Sequence, residues 1–436
     1  MKFINIIYFI LTLLIILIIF LLYKKFNKKR KIIDIGILFT TKGGPMALDE
    51  IKLYKTLNQY IDYYNQIQKK IYIKKYEYNP KSSKELYKKG SIYLINNDVS
   101  LIFGCWRTID RKAIKPIIEK NDHLLCYPLQ YEGNECSKNI LYFGACPNQQ
   151  IDIGIDYSIE NISKKIILIG SDYQFPRIAN NIIKKYIQKR NCKLLEEIYV
   201  DLNETNFQNI SKKICNKYNS DKYLIINTIN GISNKYFFEQ LYDNHQKKIK
   251  KEKNKILFHN RYGIMSFSLT ESFCKSIKKE AIYNSYFTWN YSQTDKSYDS
   301  FLMNEYKDNT NSKLVQKFKL SKKNYDDPEY HVFLSLLFFT DFLNNYEGSF
   351  KNKDIREKFL LYKNNPILTP TGYLQMEKNN HISQPVYILR MNDKYKFKTI
   401  FKTNTEIYPN PWYQKYSKNK YYCNNTNFLG NKYIDN

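Results

Sequence analysis

Short apolar runs alternate with stretches of helical period along most of the chain. Residues 33–40 (IDIGILFT) read as a buried strand, and residues 47–70 carry apolar positions at helical spacing. Residues 71–78 predict a strand and 83–89 a helix. Residues 99–106 (VSLIFGCW) predict a strand leading into a helix that opens at Thr108. Strands are predicted at 123–128, 140–144 and 165–171, the last before a helix over 178–189. Residues 196–200, 223–227 and 256–259 repeat the strand pattern. Strand–helix–strand alternation of this kind predicts an α/β fold with parallel sheets covered by helices. About ten such units exceed one ordinary doubly wound sheet, so two sheets fit better than one. Residues 372–403 are β-rich, with turn signals at Asn379-Asn380 and Asn392-Asp393. The Asn/Lys/Tyr-rich tail after Trp412 reads as loosely ordered.

The amino-terminal end follows another pattern. Residues 3–23 contain no charge, enough for a helix to span the hydrocarbon core of a bilayer. The run exceeds the apolar core of a signal peptide, and a basic segment, Lys24–Lys31, follows with no small-residue cleavage pattern. The expectation is an uncleaved single-pass membrane anchor. Basic residues after the span place the carboxyl-terminal bulk on the cytosolic side by the positive-inside rule. A Lys-rich chain puts Lys there in any case, so the side of the membrane stays open. The run also suits anionic lipid headgroups.

Composition narrows the classes. The 436 residues are 43% hydrophobic and 16% aromatic, too apolar for intrinsic disorder. The net charge is +28, yet only eight of the 69 basic residues are Arg, and Lys is spread evenly. That is a general surplus on a solvated surface, not the clustered stripe of a nucleic-acid protein. Eight Cys show no CxxC and no Cys/His ligand spacing, which argues against zinc and against a disulfide framework. No phosphate-binding or dinucleotide motif is present, and no cofactor is expected.

Against this background, scarce Gly, Pro, Arg and Trp gather at predicted strand ends. Gly104-Cys105-Trp106-Arg107-Thr108 follows one strand, and Tyr127 to Gly133 (YPLQYEG) follows another. Ser171 to Arg177 (SDYQFPR), Thr228-Ile229-Asn230-Gly231 and Trp289-Asn290-Tyr291 follow three more. Gly and Pro punctuate strand ends as ordinary turn chemistry. Open α/β sheets also bind ligands at these carboxyl ends. Five aromatic and polar loops describe a cleft wall rather than a nucleophile–base constellation.

The segments GCWRTIDRKAIKP, LLCYPLQYEG, YFGACPNQQ, GSDYQFPR and NTING, in this order, resemble the periplasmic binding protein type I family. Within it they look most like the substrate-binding proteins of urea ABC transporters and the related short-chain amide-binding proteins. The resemblance runs from about Ile33 to about Tyr413. It implies two Rossmann-like lobes joined by three crossovers, with the ligand between them. Residues 1–31 would then be anchor and basic flank. Lobe one would hold 33–150 and 291–365, lobe two 151–290 and 366–415, and 416–436 would be tail.

The resemblance implies a small neutral solute, urea or a short amide. Such a solute needs in-plane acceptors, a donor to its carbonyl and flat apolar walls. Trp106, Thr108, Tyr127, Gln130, Tyr131, Tyr173 and Phe175 are the implied ligand contacts. Arg107, Glu132, Asp172 and Trp289 are implied as supporting positions. Glu132 and Asp172 suit bracing of loops, Arg111 and Arg177 suit pinning helix starts to carboxylates, and Asn148, Gln149 and Gln150 fall where a crossover is expected. Three departures stand out: Arg107-Thr108 where the urea proteins usually carry Thr-Ser, a longer first loop at 40–46 containing Lys42, and a segment 266–272 (SFSLTES) without an acidic run.

The leading expectation is a membrane-anchored solute-binding protein. A permease or signalling partner is not identified by the chain. A ligand-sensing module of the same fold, or a degenerate surface protein that no longer binds solute, are the alternatives. An enzyme reading would have to pair Cys105 with His123 or His259. No spacing supports that pair, and Cys105 in an apolar run reads as a small buried hydrophobe.

Overall fold

The computed structural model describes residues 13–15, 29–135, 137–218, 221–252, 256–296, 309–321 and 323–411. The expected anchor at 3–23 lies outside the described residues except for Leu13–Ile15, as does the expected tail at 416–436. Among the described residues no helix is long and apolar enough to cross a membrane.

The first sheet contains β1 (Lys31–Leu38), β2 (Ile71–Glu77), β3 (Ile102–Gly104), β4 (Leu125–Tyr127) and β5 (Ile140–Tyr142). Their order is β2-β1-β3-β4-β5, and every pair is parallel. The second sheet begins with β6 (Lys165–Ser171), β7 (Lys193–Val200), β8 (Tyr223–Thr228), β9 (Tyr262–Ser266) and β10 (Tyr286–Trp289), also parallel to one another. A separate antiparallel pair, β11 (Ile367–Thr369) and β12 (Gly372–Leu374), precedes β13 (Tyr387–Met391) and β14 (Phe397–Lys402). β13 and β14 extend the second sheet antiparallel, giving the order β14-β13-β10-β9-β8-β6-β7. The two-sheet α/β architecture is as the patterning predicts, but the second sheet is mixed at one edge. A five-residue connection, residues 392–396, closes β13 onto β14 without a helix, and such a short connection permits only antiparallel pairing.

Burial explains the strand pattern. β8 is buried at every position and β6 at all but its first, as continuous apolar runs covered on both faces require. Residues 256–259, predicted as a strand, instead lead into a helical turn at Phe258–Arg261, and the strand starts at Tyr262. Apolar residues over so short a run cannot distinguish the two.

Two sets of core residues follow the sheets. The first lobe packs Ile33 to Cys146, then Tyr291 to Phe359, and also Ile367, Leu374, Met376 and Ile382. The second lobe packs residues between Ile151 and Trp289, then Tyr387 to Phe397. The chain therefore passes between the lobes three times: near Gln149, near Asn290 and near Gln384. The amides of these residues tie the passages together. Gln149 Nε2 donates to the carbonyls of Ile382 and Ile407, both at 2.8 Å. Asn290 Nδ2 donates to Gln149 O at 3.2 Å and to Pro385 O at 2.9 Å. Gln384 Oε1 lies 2.8 Å from His331 Nε2. The other ring nitrogen lies 2.9 Å from Asp327 Oδ1, and Asp327 Oδ2 accepts the Asn290 N–H at 2.8 Å.

Candidate functional site

The cleft lies between the carboxyl ends of the two parallel sheets. Its first-lobe wall starts where β3 ends. Cys105 adopts φ +70° in the left-handed region, which turns the chain out of the sheet before the helix Thr108–Lys120. The next wall is the loop after β4, which carries Leu129 and Gln130. A Cβ at Gly144 would sit 2.0 Å from the Leu129 carbonyl carbon, so only glycine lets the segment after β5 pass beneath that loop.

The second-lobe wall is formed by Tyr173 and Phe175 at the start of the helix Gln174–Gln188, by Asn230 after β8, by Ser268 and Thr270 after β9, and by Trp289 at the end of β10. The space between the walls measures about 40 Å³ over positions open to the centre of a water. One water needs about 10–15 Å³ on that scale, so the space suits a solute of a few heavy atoms.

Of the implied ligand contacts, the structure brings Trp106, Thr108, Tyr127, Gln130, Tyr173 and Phe175 to this space, with Arg107 and Trp289 from the supporting set. Aromatic faces therefore surround it, and their polar edges are largely engaged elsewhere. Tyr127 OH donates to Trp106 O at 2.9 Å, and Trp289 Nε1 donates to Leu269 O at 3.0 Å. The Thr108 hydroxyl donates to Glu132 Oε2 at 2.7 Å. Burial raises the Tyr173 and Tyr127 phenols well above their ordinary range, so both remain neutral donors. Gln130 Oε1 is buried and has no hydrogen-bond partner among the described residues. A buried carbonyl oxygen of this kind is an acceptor still to be satisfied.

Tyr131, Glu132 and Asp172 do not line the space. Tyr131 stacks on Tyr142 at 5.0 Å between ring centroids, and its hydroxyl lies 2.5 Å from His381 Nε2. Glu132 is fully buried behind Thr108, with Lys112 Nζ at 3.8 Å. Asp172 is exposed and forms a two-pronged pair with Arg177, both contacts at 2.8 Å, which holds its carboxyl below the usual range. Leu129, Asn230, Ser268, Thr270 and Pro328 complete the wall and were not singled out as contacts. Leu129 lies in the strand-end sequence YPLQYEG, Asn230 in TING, and Ser268 and Thr270 in the segment 266–272.

The arginines around the cleft each face a carboxylate. Arg111 is fully buried, with Nε 3.0 Å and Nη2 3.2 Å from the two oxygens of Glu135. Its guanidinium carbon lies 4.5 Å from the Tyr127 ring centre and 4.7 Å from that of Tyr131. Cys105 is completely buried, and burial first, then Asp110 and Glu50, push its thiol far above the ordinary range. His123 bonds Val99 O at 2.7 Å, and burial lowers it to about 4. Neither residue is set up as a nucleophile or base. Among the described residues no cluster could hold a metal ion.

The model of a family described as the periplasmic binding protein domain matches residues 33–418. The chain therefore belongs to that family, which is one of binding proteins rather than enzymes. Among similar solved structures is a solute-binding protein of an ABC transporter from Rhodopseudomonas palustris BisB5, in complex with 3,4-dihydroxybenzoic acid. It has a TM-score of 0.68 at 13% identity, covering 87% of this chain and 99% of that one. A branched-chain amino acid transporter substrate-binding protein from Streptococcus pneumoniae, in complex with isoleucine, has a TM-score of 0.65 at 15% identity, covering 85% and 99%. A leucine-binding protein from Thermotoga maritima has a TM-score of 0.65 at 13% identity, with the same coverage. At these identities the likeness is one of fold.

Proposed function

We propose that this periplasmic binding protein is the solute-binding component of an ABC transporter, and that it holds urea or a short-chain amide between its lobes. The similar structures are solute-binding proteins of transporters, which supports the transport role. The carrying observation for the ligand is a small aromatic-walled space that offers an unpaired acceptor, Gln130 Oε1, and no unpaired Arg. Aromatic acids and amino acids, as named for the similar structures, are larger and carry a carboxylate. We also propose that residues 3–23 anchor the protein as a single membrane span, on the strength of their uncharged length.

The test is calorimetric titration of the full-length protein in detergent micelles with urea, acetamide, benzoate and leucine. Binding of urea or acetamide supports the reading. Heat from benzoate or leucine alone overturns it. For a tiny ligand the ceiling is about 1.5 kcal/mol per heavy atom, so urea should bind no tighter than on the order of 10 µM.

A further inference from the structure

Arg107 occupies the wall of the cleft, immediately before the helix Thr108–Lys120. One turn along that helix, Asp110 turns back beneath it. Arg107 Nε donates to Asp110 Oδ2 at 2.8 Å and Nη2 donates to Oδ1 at 2.9 Å, a planar two-pronged match. Nη2 also donates to the Ser82 carbonyl, so the Nε–Nη2 edge of the fork is committed to partners within the first lobe. The Asp110 side chain is fully buried and that of Arg107 is 15% exposed. The pair is thus largely shielded from water, where a charge without its partner is costly. Arg111 is matched by Glu135 and Arg177 by Asp172, so neither offers an unpaired guanidinium to the cleft.

An unpaired arginine at this place would hold a carboxylate by the same fork. Acetamide and acetate have nearly the same shape and differ in charge, so shape cannot separate them. We propose that Asp110 is a specificity-determining residue of the cleft: by holding the Arg107 fork, it makes the site accept uncharged amides and reject carboxylates of equal size. The proposal rests on the cleft being the solute site.

The experiment compares acetamide with acetate at pH 8, where acetate is ionised, using the full-length protein. Wild type should bind acetamide at least tenfold more tightly than acetate. Asp110→Asn should raise acetate affinity at least tenfold, and Arg107→Gln added to it should remove that gain. Equal wild-type binding of the two probes overturns the proposal. So does an Asp110→Asn protein with no gain for acetate, or a gain that survives in the double variant. Asp110→Ser provides a second neutral replacement, and thermal melting identifies a variant that fails to fold. If no neutral solute binds wild type, the urea or amide reading fails, while the acetate response of the variants still decides the role of Asp110.

Discussion

Gln149, on the first passage between the lobes, donates through Nε2 to the carbonyl of Ile382 on the third, at 2.8 Å. Asn290, on the second passage, donates to Gln149 O and to Pro385 O. Two amide side chains thus tie all three passages at one place. Lobes joined this way can rotate about a small hinge while their sheets stay rigid.

Asn290→Ala removes both bonds and leaves two carbonyls short of a donor in a buried place. The expected loss is about 1–3 kcal/mol of stability. Guanidinium chloride unfolding should be used, since urea is a candidate ligand.

Gln130 lines the cleft, and its buried Oε1 has no hydrogen-bond partner among the described residues. Gln130→Met keeps the length and removes that oxygen. Affinity for urea should fall about tenfold to a hundredfold, in line with a lost hydrogen bond of about 1–3 kcal/mol, with the melting temperature little changed. Titration calorimetry paired with thermal melting separates the two effects.

Arg111 and Glu135 form a pair buried in the first lobe. Arg111→Met leaves Glu135 unpaired there, and a loss of about 3–5 kcal/mol is expected. Adding Glu135→Leu should recover much of it, because two apolar groups strand no charge. Equilibrium unfolding of the two variants and wild type checks this coupling.

Glu50 is fully buried, accepting from Tyr87 OH at 2.6 Å and from Thr40 N at 2.8 Å. Burial raises its carboxyl to about 7, from an ordinary 4.5. A raised folded-state value means the folded chain holds its proton longer than the unfolded chain. The stabilising contribution is therefore complete below pH 4.5 and is lost as pH rises through about 7. Its size is on the order of 3 kcal/mol. Glu50→Gln should flatten the fall in stability between pH 5 and pH 8. His123 and His381 act in the opposite direction, since burial lowers them to about 4 and about 3 and their contribution is lost on acidification below 6.5. The difference between wild type and Glu50→Gln isolates the carboxyl.

Much of the molecule was legible along the chain. The strand 165–171 and the helix opening at Thr108 fall where periodicity places them, because a buried strand is apolar at nearly every position. The strand-end loops also showed through the background of Lys, Asn and Ile, because Gly144 and Cys105 hold backbone positions set by local sterics. Local pattern reaches only as far as neighbours in sequence. It could not show that Tyr131 turns from the cleft to His381, 250 positions away, or that residues 367–382 pack with the first lobe. It named Arg107 as a departure but not its direction. That direction decides whether the cleft presents a charge. Only the folded chain sets it, by bringing the Ser82 carbonyl and the Asp110 carboxylate within reach of one guanidinium.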